Sequence, residues 1–151
     1  MPTLLETIDA SFTELDARQR QLIGGVPEDK LFWTPVHVSD SMISLSVGGA
    51  VLRSAAMVEQ AFLGLTRRLW DDPFEWTLPE KLSTTSAILS YLDEVCDTRR
   101  TGLGFLRTDD DLLRELPAPE KLCSVFDVLA GALSRAENHL GRGEAVRKLL
   151  G

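Results

Sequence analysis

The chain has 151 residues, 44% of them hydrophobic and 26% charged, enough for one domain with a real core and too apolar for a disordered chain. Sixteen Lys and Arg against 23 Asp and Glu give a net charge of −7, and no basic stripe offsets it, which argues against a nucleic-acid partner. No apolar run approaches the roughly 20 residues of a bilayer span, and Glu6 and Asp9 interrupt any secretory-signal pattern, so a cytoplasmic protein without a membrane partner is expected.

Four long segments carry helical periodicity, and none shows sustained strand alternation. The first covers about residues 3–23, with Leu4, Ile8, Phe12, Leu15, Gln19 and Leu22 on one stripe. Thr3 followed by Glu6 fits a capping box, and the glycine pair at 24–25 stops the helix. A short turn follows, with Pro27 suited to open it and Pro35 to break it. The second helix is predicted over about residues 40–69, buried along Ile43, Val47, Ala50, Ser54, Met57, Ala61 and Leu65. Its small residues let a neighbouring helix approach closely.

Residues 70–83, with two prolines, form the longest connection and can cross one end of a bundle. The third helix starts after N-cap candidates Ser83 to Thr85 and reaches about Leu106, with Ile88, Leu92, Val95, Arg99 and Leu103 on its stripe. Thr108 before Asp109, Asp110 and Asp111 reads as a capped turn, which Pro117 and Pro119 end. The last helix runs from about Ser124 to Leu150. The expected fold is all-α: a single four-helix bundle over residues 1–151 with a crossover between its second and third helices.

Chemistry has few carriers in this sequence. Glycine-rich nucleotide motifs are absent, because neither glycine pair follows a strand or precedes a phosphate-reading lysine. Cys96 and Cys123 are too few and too far apart for a disulfide framework, and read as buried, inert thiols. There are two histidines. His37 lies in the loop "TPVHVSD", while His139 stands one turn after Arg135 on the last helix. Positions i and i+4 on a helix suit a pair of metal ligands, but a guanidinium cannot bind a cation. Arg53, beside the buried stripe of the second helix, adds another fixed positive charge. From these residues alone, metal binding is disfavoured. The plainer account of both arginines runs their stems over apolar surface to reach Asp or Glu partners. Trp33, Phe62, Trp70, Phe74 and Trp76 read as core and loop anchors.

Four stretches, "LLETIDASFTELDARQRQLIGGVPEDKLFWTP", "ISLSVGGAVLRSAAMVEQAFL", "AILSYLDEVCDTRRTGLGFLRTDDDLLRELP" and "LCSVFDVLAGALSRAENHLGRGEAVRKLL", cover nearly the whole chain. In their order the chain resembles the DinB-like (YfiT-like) superfamily of damage-inducible and thiol-transferase bundles. The resemblance implies an up-down-down-up four-helix bundle that often dimerises. It also implies a three-histidine site for zinc, nickel or a related ion, with one histidine from the second helix and an H-x-x-x-H pair from the last. Transferred to this chain, the three positions are Arg53, Arg135 and His139, so only His139 remains as a metal-ligand candidate.

Three readings follow. The favoured one is a metal-free, non-catalytic binding or stress-related protein, a homodimer with no cofactor. The second is a metal-dependent thiol transferase in which His139 works with non-histidine ligands such as Glu137 or Glu59, acting with a low-molecular-weight thiol. The third is a small-anion pocket formed by Arg53, Arg135, Asn138 and His139, since a guanidinium fork fits carboxylate or phosphate.

Overall fold

A computed structural model describes residues 2–35, 46–75 and 81–150. It is mostly helical, with four long helices among the described residues: α1 (Leu4–Gly24), α2 (Val47–Arg67), α3 (Thr85–Leu103) and α4 (Val125–Leu149). Each begins on a side-chain cap. Thr3 and Glu6 form the reciprocal capping box on α1, while Ser46, Thr84 and Ser124 accept the amides of Gly49, Ala87 and Asp127. Asp109 adds a tertiary cap, taking the free amides of Leu4 and Leu5 at 3.1 and 2.9 Å. A carboxylate at the positive end of a helix dipole is stabilising, and here it ties the 108–113 turn to α1.

Side-chain contacts give the helix directions. Ser54 donates to the carbonyl of Ala136, and a Cβ on Gly143 would lie 2.9 Å from that of Ala50, so α2 and α4 run antiparallel. Tyr91 meets Glu59 and Gly102 meets Phe62, so α2 and α3 run parallel. Arg18 reaches Glu137 and Arg147 reaches the carbonyl of Gly25, which makes α1 and α4 parallel too. A parallel pair needs a long connection, and the 68–84 crossover supplies it. α2 packs on all three of the others and is the most buried helix. The core gathers Phe12, Leu15, Val51, Phe62, Ile88, Leu92, Leu129 and Leu140 between the four.

Several sequence expectations need correction. The stretch 115–124, expected to lack strands, is a hairpin: β1 (Glu115–Pro117) pairs antiparallel with β2 (Leu122–Ser124). Three-residue strands are too short to show alternation, and only Leu116 of β1 is buried. Helix α2 starts at Val47 rather than near Asp40, because Ser46 is extended and caps it; residues 36–45 lie outside the described residues. Helix α3 ends at Leu103, three residues early, where Gly102 and Gly104 weaken it. On α1, Leu4 is exposed and Ile23 takes the last buried position expected of Leu22.

Candidate functional site

The site expected from the sequence centres on the α2–α4 contact. Ala136 and Gly143 of α4 touch α2 closely, and His139 lies one turn from each. Burial, followed by the like charges of Arg142 and Arg53, holds the His139 imidazole below its ordinary pKa. Its Nδ1 is buried and has no hydrogen-bond partner among the described residues. That shift disfavours the imidazolium, the one form that offers a donor on both nitrogens.

Arg53 belongs to the crossover as much as to α2. Positions 53, 57, 60 and 64 line one flank of the helix, and the crossover returns along it. Trp70 packs on the bare backbone of Gly64, where a Cβ would sit 2.2 Å from the indole ring. Gln60 donates to the carbonyl of Trp70 at 2.7 Å. Farther along, Asp72 Oδ2 accepts from Arg53 at 2.8 Å, and the guanidinium lies 4.8 Å from the Phe74 ring centroid. Desolvation would raise the Asp72 carboxyl, but the hydrogen bonds from Arg53 and the Phe74 amide outweigh it and keep the pKa below the usual carboxylate range. Both Asp72 oxygens are thus engaged.

The other candidates do not join this pair. Arg135 is exposed, with its guanidinium lying back along α4 over Gly131, 3.2 Å from where a Cβ there would be. Arg142, not Arg135, is the second guanidinium whose charge acts on His139. Asn138 is exposed. Both Glu137 carboxylate oxygens accept from Arg18, at 2.9 and 2.7 Å. Glu59 is buried and turned toward α3, accepting the Tyr91 hydroxyl at 3.1 Å. Burial, reinforced by Glu94 against the Tyr91 hydrogen bond, raises the Glu59 pKa. His37 and Trp76 lie outside the described residues. Cys96 and Cys123 are free and half-buried rather than buried.

Among the described residues, the side chains at positions 53, 135 and 139 do not suit a divalent ion: they are one guanidinium already bound to a carboxylate, one guanidinium in solvent and one imidazole. The carboxylates considered as substitutes are held by Arg18 and Tyr91. Among the described residues, no three His, Cys, Asp or Glu side chains gather into a metal-binding group. No described helix is long and apolar enough to cross a membrane.

No protein-family model, curated protein or solved structure matches this chain.

Nothing local in the sequence names Asp72 and Phe74 as the partners of Arg53. Their signal was present in the acid–proline–aromatic composition of the crossover, but nothing local said which flank of which helix the crossover would follow.

Proposed function

We propose that this chain is a DinB-like bundle protein in which a half-exposed ion pair, Arg53–Asp72, stands where relatives of that superfamily hold a metal. On this reading it is a cytoplasmic, metal-free binding protein and a homodimer, not a metal-dependent thiol transferase. The observation that carries the reading is Arg53, bound to Asp72 and next in sequence to Ser54, whose contact with Ala136 lies one turn of α4 from His139. The helix order and directions support the resemblance. Two parallel pairs joined by one long crossover bring position 53 of α2 and position 139 of α4 to the same helix–helix contact.

Donor count decides against a metal role more firmly than charge does. Two unit charges about 4 Å apart repel by about 4 kcal/mol at an effective dielectric of 20, but Asp72 offsets part of the Arg53 charge. A lone imidazole nitrogen, by contrast, cannot hold zinc or nickel against water, whereas three or four protein ligands can. The same ion pair weakens the small-anion reading, because Asp72 already offsets the Arg53 charge through its contact to Nη1.

Elemental analysis of protein purified without chelator tests the proposal. Sub-stoichiometric zinc and nickel are expected, and one bound metal per chain, lost in His139→Ala, would refute the metal-free assignment. Light scattering in solution tests the dimer separately, with twice the chain mass expected and the monomer mass contradicting it.

A further inference from the structure

A second site lies at the opposite end of α2, fifteen residues or about 22 Å along the helix axis from Arg53. A cavity of about 300 Å³ opens there between the C-terminal ends of α2 and α3, the hairpin and the first residue of α4. Buried apolar side chains lie at its floor, with Leu106, Leu116 and Val125 each under a tenth exposed, while the larger part of its accessible wall is polar. Phe105, one of the most exposed large apolar side chains, forms part of its wall. Arg68 and Arg114 line the same cavity.

Two features set this cavity apart from an accidental surface dent. Arg68 is the one non-glycine residue with positive φ among those described, at φ 57°. A left-handed C-cap is normally glycine, and a long side chain there carries a backbone cost; among the described residues the Arg68 guanidinium has no hydrogen bond or ion pair. Arg114 has one ion pair among the described residues, a long one of 4.0 Å to Asp111 Oδ1. Glu115 is the one carboxylate among the lining residues. The negative ends of α2 and α3 also favour cations here, so a purely structural role for the two arginines is the competing account.

We propose that this cavity binds a small amphipathic carboxylate, with its acid group on Arg68 and Arg114 and its apolar body against Phe105, Leu106 and Leu116. Guanidinium forks match carboxylate geometry, and a floor of buried apolar side chains beside an exposed phenyl ring gives a short hydrocarbon or aryl tail a place to leave water. Acetate lacks the tail and octanol lacks the charge, so neither satisfies both halves of the site.

Calorimetric titration with octanoate, acetate and octanol tests this. Octanoate is expected to bind saturably and the other two at least roughly ten-fold more weakly. Arg68→Gly keeps the left-handed backbone while removing the guanidinium, so it folds and is expected to weaken octanoate about ten-fold or more, the effect of deleting a charge-assisted hydrogen bond. Arg114→Gln should do the same without touching the αL residue. Arg20→Gln, which removes an equal charge far from the cavity, should leave octanoate binding unchanged. Absence of octanoate binding to the parent, equal binding by parent and Arg68→Gly, or equal weakening by Arg20→Gln would each overturn the proposal.

Discussion

Gly64→Ala offers a sharp test of how the crossover positions Arg53. In an ordinary helix interior, Ala is favoured over Gly by about 0.8–1.0 kcal/mol, so propensity alone predicts a stabilised protein. Here the new methyl would fall 2.2 Å from two atoms of the Trp70 ring and 2.6 Å from a third. Contacts that close require the indole to move, and overpacking of this kind costs about 1–3 kcal/mol. Displacing a half-buried Trp also forfeits part of the 3–5 kcal/mol that deleting a core aromatic removes, roughly half on exposure grounds. The Gln60 contact to the Trp70 carbonyl goes with it. The net expectation is destabilisation of about 1.5–4.5 kcal/mol, a urea midpoint lower by roughly 1–2 M. Circular dichroism through a urea titration measures it. The companion variant is Trp70→Ala, in which the same Gly64→Ala change should become stabilising by about 1 kcal/mol, because the ring is gone and only propensity remains. A Gly64→Ala protein as stable as the parent, or a cycle without this change of sign, would refute the packing argument.

Other consequences are simpler to state. Ser54→Ala removes the hydroxyl that donates to Ala136 and accepts from the Gln19 amide, so a loss of about 1–3 kcal/mol in urea melts is expected for the stranded buried amide; a neutral result would mean that water replaces the hydroxyl. Glu59 has a raised pKa in the fold, so the native state holds its proton more tightly than the unfolded chain and loses stability as pH rises above the ordinary 4.5 toward the folded value. Glu59→Gln should therefore be more stable than the parent at pH 7 and lose that advantage below pH 4.5; an advantage independent of pH would point to packing instead. His139 shows the opposite linkage. With its pKa below 6.5, the unfolded chain takes up a proton that the native state refuses, so stability falls as pH drops through 6.5 toward the folded value. In an NMR titration, Arg53→Met should move the His139 pKa back toward 6.5 while burial still holds it below; an unchanged midpoint would separate the two residues electrostatically.

What was legible in the sequence was what is local. The Thr3–Glu6 box is decided within four residues and the structure has it, and of the cap candidates Ser83 to Thr85 the structure uses Thr84. Arg99 on an otherwise apolar stripe is buried as its period required, with its head reaching Asp9 and Thr13 on α1. The start of α2 was misplaced because several serines precede its apolar run, and only the fold selects Ser46. The hairpin escaped notice because three residues on each side carry no period, and its stability comes from Leu116 and the neighbouring helix ends. The candidate site divides the same way. Arg53 and His139 were identified from spacing and resemblance, while Asp72 and Phe74 are reached through the crossover, whose path depends on Trp70 finding Gly64. Arg135 shares the α4 face by sequence, yet its long stem carries the guanidinium a turn away.

The central claim is that positions 53, 135 and 139 mark a metal seat that arginine has closed. Titrating zinc and nickel into the parent and into Arg53→His/Arg135→His tests it most directly. The double variant is expected to bind one ion per chain and to gain thermal stability from it, with the parent showing neither. Metal bound by the parent, or none bound by a folded double variant, would contradict the account.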